Sequence, residues 1–99
     1  MQDIRLYKGD QRPVVLETGF DWTNIGTGAS RTVKIVKPDL TTATQTGTSL
    51  TVVDATNGVI SIVLAPNQVG EWLLQPYGTD TATKTFYGAV TVVRVSDIL

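Results

Sequence analysis

Apolar and polar residues alternate along most of the chain, the signature of half-buried strands rather than helices. Ile4 and Leu6 alternate with Arg5 and Tyr7, predicting a first strand over 3–7 that ends at the turn pair Gly9-Asp10. Residues 12–18 resume as a strand, with Pro13 near its start, where a missing N–H is tolerated. Residues 19–30 hold three Gly and several turn formers and read as a loop, with Phe20, Trp22 and Ile25 pinning it to the core. Val33 and Ile35 mark the inner face of a strand over 31–37, which Pro38-Asp39 stops. The polar, low-complexity run 41–48 reads as an exposed hairpin arm or a long loop. A short strand over 49–53 leads through Asn57-Gly58, a strong hairpin signal, into a strand over 59–64 with Ile60, Ile62 and Leu64 on one face. Pro66 ends that strand. Residues 71–77 form the next one, with Trp72 and Leu74 pointing inward. The run 83–95 reads as one long final strand, with a bulge or close backbone approach at Gly88.

About seven short strands without a helical crossover predict an all-β, antiparallel β-sandwich over a single domain, residues 1–99, of the size of an immunoglobulin-like domain. Composition strengthens this. The chain has 16 Thr, 13 Val and 6 Ile, all β-branched, and its glutamates are confined to Glu17 and Glu71. A chain of 99 residues buries a modest core without needing staples.

The same composition narrows the chemistry. There is no Cys and no His, which removes disulfides, thiolate nucleophiles and the commonest general base and metal ligand. A net charge of −1 with scattered Lys and Arg offers no footprint for nucleic acid. No apolar segment reaches the length of a membrane helix, and Met1 to Asp10 lacks the form of a secretory signal, so a product folded in the cytoplasm is expected. The seven Asp sit mostly beside turns, where they bond their own backbone. That outweighs a glycosidase-type acid pair or a calcium loop, for which no local spacing exists. Lys8-Gly9-Asp10 matches an integrin-type tripeptide, but Gly-Asp is ordinary turn chemistry. Gly26 and Gly28 do not lead from a strand into a helix, as a phosphate cradle requires. No catalytic, cofactor or metal site is expected.

Five segments together resemble the amino-terminal domain of the upper baseplate proteins of tailed bacteriophages, and related immunoglobulin-like modules of phage tail, fibre and head-surface proteins. They are Tyr7-Lys8-Gly9-Asp10, the Val33/Ile35 strand, Asn57-Gly58 to Leu64, Gly70-Glu71-Trp72, and the Val-rich strand from Gly88. The resemblance spans nearly the whole chain. It implies a non-catalytic structural subunit of a virion, made in the host cytoplasm and bound to other virion proteins, in a symmetric homo-oligomeric assembly. Polar low complexity nominates Thr41, Thr42, Thr44, Gln45 and Thr46 as assembly contacts, and terminal hydrophobicity nominates Val95, Ile98 and Leu99. The alternative is a carbohydrate-binding or adhesion module, with Trp22, Tyr77 and Tyr87 as a stacking platform.

Overall fold

The computed structural model describes residues 2–25, 31–46 and 50–98. Among the described residues it shows no helix and nine strands: β1 (Gln2–Tyr7), β2 (Pro13–Glu17), β3 (Arg31–Val36), β4 (Thr42–Thr46), β5 (Leu50–Asp54), β6 (Val59–Val63), β7 (Gly70–Thr79), β8 (Thr85–Tyr87) and β9 (Thr91–Ser96). They form two sheets. The larger has the order β1-β9-β7-β3-β4, with β8 paired to β7; the smaller has the order β2-β6-β5. All pairings are antiparallel except β1 with β9, which run parallel with Ile4 opposite Val93 and Leu6 opposite Val95.

The period-two pattern decides which faces meet. Leu6, Val33, Ile35, Trp72, Leu74, Val93 and Val95 from the larger sheet pack on Val14, Leu16, Leu50, Ile60 and Ile62 from the smaller. Trp22, Ile25 and Leu64 enter the same cluster from the connections. Each buried branched side chain contributes about 1.5–3 kcal/mol, which is what offsets the entropy of ordering the strands.

Several expectations are resolved or revised. Of the two alternatives for the polar run, residues 42–46 take the hairpin arm and not the long loop: they form an edge strand hydrogen-bonded to β3, with Ala43 opposite Ile35. The run 83–95 is two strands. β8 pairs with Tyr77–Thr79 and β9 with Gly70–Leu74, and the chain leaves the ladder between them. Pro76 accounts for the break: its carbonyl accepts the Gly88 N–H at 2.8 Å, so its own nitrogen, which has no hydrogen, faces the same edge. The hairpin expected at Asn57-Gly58 is present, its turn over 55–58 closed by the Gly58 N–H on the Ala55 carbonyl. The Gly26 and Gly28 part of the loop, residues 47–48 of the polar run, and Leu99 lie outside the described residues.

Candidate functional surfaces

The outward residues of β3 and β7 place Val36 opposite Leu73, and Lys34 opposite Gln75. Two shallow hollows flank the Val36–Leu73 pair. One, of about 180 Å³, reaches Lys34, Gln75 and Val90; the other, of about 260 Å³, reaches Pro38, Leu40 and Glu71. Leu40 stands at the edge of the second hollow, 80 % exposed, in a left-handed conformation (φ 68°) that a leucine adopts only under constraint.

Asp39 supplies the constraint. Its Oδ1 accepts the Thr41 N–H at 3.0 Å and the Thr41 hydroxyl at 2.6 Å, and its Oδ2 accepts the Gln68 amide at 3.0 Å. These bonds, the Thr41 hydroxyl first, hold the Asp39 carboxyl below the ordinary carboxylate range. The Gln68 carbonyl in turn accepts the indole N–H of Trp72 at 3.0 Å. The turn that displays Leu40 is thus tied through the 66–70 connection to the core.

The smaller sheet has its own uncovered face. Val15, Val53 and Val63 are each about half exposed there, at 45 %, 60 % and 47 %. Pro13 sits opposite Val63, and Val15 opposite Ser61.

A third surface lies at one end of the sandwich. Phe20, Asp21, Asn24, Ile25, Asp80 and Phe86 line a cleft of about 210 Å³, and two of these, Ile25 and Asp80, are joined by an isolated antiparallel bridge. Phe20 stacks on Trp22 at 5.0 Å and on Phe86 at 5.8 Å between ring centroids. Thr23, through its side chain and its backbone N–H, keeps the Asp21 carboxyl below its usual value. Asp80 Oδ1 accepts the N–H groups of Ala82 and Lys84. Both carboxylates act first as turn locks.

The nominated residues fall in different places. Trp22 does not present a ring to solvent: it is 1 % exposed, and its indole N–H donates to the Thr18 hydroxyl at 2.7 Å. Its part in a stacking platform is therefore withdrawn, because the ring is loop anchor and core. Tyr77 and Tyr87 do meet, at 5.5 Å, with Tyr87 exposed and Tyr77 half-buried. Val95 is also corrected as a contact residue. It is 4 % exposed because its parity on β9 points it inward with Val93. Ile98 is exposed beyond the end of β9. Thr41 and Thr42 are exposed, and Thr44, Gln45 and Thr46 lie on β4, which among the described residues pairs with β3 alone. Leu40, Phe20 and Phe86 were missed as surface candidates. For Leu40 the available signal was an apolar residue set between Asp39 and Thr41 in an otherwise polar turn.

Among the described residues no three His, Cys, Asp or Glu side chains converge as metal ligands would. Compared with known proteins, the chain matches no family model, no curated sequence and no solved structure.

Proposed function

We propose that the chain is a non-catalytic subunit of a tailed-phage particle that assembles through protein–protein contacts. The observation that carries the assembly reading is that both outer faces of the sandwich hold uncovered apolar side chains: Leu40 and Leu73 on one, Val15, Val53 and Val63 on the other. Apolar residues scattered singly on a surface need no explanation, whereas clusters on two opposed flat faces favour contact with neighbours. The phage assignment draws on the sequence resemblance. Strand order supports an immunoglobulin-like arrangement: taking β2, β3, β4, β5, β6, β7 and β9 as strands B, C, C′, D, E, F and G gives B-E-D facing G-F-C-C′. Quantitative mass spectrometry of purified particles, from a phage encoding the chain, tests the reading. A multicopy component is expected; absence from the particles overturns it.

A second reading, carbohydrate binding, draws on the end cleft, with Phe20 and Phe86 as the apolar wall and Asp21, Asn24 and Asp80 as polar partners. Its test is a glycan array with the wild-type chain and with Phe86→Ala, whose ring is 41 % exposed and removable without opening the core. Saturable binding lost in the variant supports this reading, and a blank array rejects it.

A further inference from the structure

Asn57 stands apart from the other asparagines of the chain. Asn24 precedes Ile25 and Asn67 precedes Gln68, whereas Asn57 precedes Gly58. An asparagine loses its side-chain amide when the peptide nitrogen of the next residue attacks its Cγ, and a side chain on that next residue screens the nitrogen. Glycine has no Cβ and leaves it open. Asn57 is also exposed, at the corner between β5 and β6, so water has access to the group.

The folded turn opposes this attack at both reacting groups. The Gly58 nitrogen is the nucleophile, and its hydrogen is committed to the Ala55 carbonyl at 3.1 Å. The Asn57 amide is the leaving group, and its Nδ2 donates to Asp54 Oδ2 at 2.8 Å. Asp54 Oδ1 accepts the Asn57 backbone N–H at 3.3 Å. The side chain is thereby turned back toward residue 54, whereas attack requires its Cγ over the nitrogen of residue 58. Gly58 has little freedom to shift. It is buried, its Cα lies so close to the Phe20 carbonyl that a Cβ would overlap the oxygen, and its own carbonyl holds the Thr18 N–H at 2.9 Å and the Thr18 hydroxyl at 2.7 Å.

We propose that Asn57 is a site of spontaneous deamidation which the native turn holds back, and that conversion there loosens the hairpin corner. The reaction needs only solvent. The Gly58 nitrogen gives up its proton and bonds to Asn57 Cγ; the Cγ–Nδ2 bond breaks, and ammonia leaves with a proton. Water then opens the cyclic imide. Cleavage at Cγ restores the normal chain with aspartate at 57, and cleavage at the main-chain carbonyl gives isoaspartate, with one more methylene in the backbone. Either product adds a negative charge to a chain whose net charge is −1, and neither can donate to Asp54 as the amide did. A second carboxylate then faces the first. Isoaspartate also lengthens the chain just before Gly58, where the 18–20 segment leaves no room. The corner opens more readily than the sheets around it, because its Asp54 bonds are exposed and the β5–β6 register shifts between Val52 and Asp54. The proposal is independent of both functional readings above.

Peptide mapping by mass spectrometry tests it, on the full chain aged at mildly alkaline pH in native buffer and in concentrated urea; retention separates the aspartate and isoaspartate forms. Conversion at Asn57 ahead of Asn24 and Asn67 is expected, slower in native buffer than in urea by about tenfold or more. Asp54→Ala should speed conversion about threefold in native buffer and leave the rate in urea unchanged. Hydrogen exchange of the Gly58 amide reads the same opening in the wild-type chain without any substitution, and protection of about tenfold or more is expected. A chain enriched in isoaspartate at 57 should melt a few degrees below the fresh one. Conversion first at Asn24 or Asn67, equal rates in buffer and urea, an Asp54→Ala rate equal to the wild type, an unprotected Gly58 amide, or an aged chain that melts with the fresh one overturns the proposal.

Discussion

Thr18 is the residue on which one end of the core depends. It is 2 % exposed, accepts the Trp22 indole N–H at 2.7 Å and donates its hydroxyl hydrogen to the Gly58 carbonyl at 2.7 Å. The Gly58 carbonyl also accepts the Thr18 backbone N–H, at 2.9 Å, so it keeps a partner if the hydroxyl is removed; the indole does not. Thr18→Val should therefore cost about 2 kcal/mol by stranding one buried donor, and Thr18→Ser well under half of that. Urea denaturation of the three proteins reads the difference. At the other end, Arg12 grips Asp10: its guanidinium bonds the carboxylate first, and its backbone N–H adds a second bond at 3.0 Å, lowering the Asp10 pKa from 3.8 to about 2. The folded carboxyl holds its charge to lower pH than the unfolded one. Its contribution to stability is therefore complete above 3.8 and fades as the pH falls through about 2. NMR titration of Asp10 should give a midpoint near 2, returning toward 3.8 in Arg12→Ala. None of this pairing was visible as chemistry in the sequence. A Gly-Asp turn announces that the carboxylate will bond locally, but not that an arginine two residues on will fold back over it.

At the scale of elements, the strands were legible wherever one face was buried and the other wet. Burial follows the expected parity in β2, β6 and β7 almost residue by residue. The pattern fell short where pairing, not burial, decides. The β4 segment TATQT has no apolar periodicity, and becomes a strand because β3 offers it an unpaired edge. Conversely, 83–95 looks continuous, but β7 cannot pair past the nitrogen of Pro76, and the run divides. The outer faces were illegible for a related reason. Alternation tells which residues point away from the core, and it does not tell which strands lie side by side to gather those residues into a patch. Turns obey a third logic, as Gly58 shows. It sits at φ 71°, and a Cβ there would overlap the Phe20 carbonyl oxygen and come within 2.7 Å of the Thr18 hydroxyl. Gly9, at φ 84°, has open space around it. Gly9→Ala should thus show the conformational cost alone, about 1 kcal/mol, and Gly58→Ala about 3 kcal/mol or more, because the 18–20 segment must also move. Thermal melts of the two variants separate strain from collision.

Over the whole molecule, the fold closes only when its two ends meet. Among the described residues β1 pairs with β9 alone, and β9 fills the space between β1 and β7 while placing Val93 and Val95 in the core. The last rung is Tyr7 opposite Ser96, followed by the Lys8 N–H on the Ser96 carbonyl at 2.9 Å. Beyond it, Asp97 and Ile98 belong to no ladder and are exposed. A chain ending at Ser96 should therefore melt within a few degrees of the parent. A chain ending at Val90 should fail to fold: it loses two core valines, leaves β1 detached and opens the middle of the larger sheet, far more than the 5–15 kcal/mol that holds a domain of this size together. Circular dichroism melts and dispersed amide NMR spectra would distinguish the two truncations, and a folded chain ending at Val90 would contradict the strand order. The pairing also relocates the edge of the larger sheet: with β1 in place β9 has a ladder on both sides, and the terminal strand is β1, whose exposed Arg5 is the kind of charged side chain that discourages further pairing.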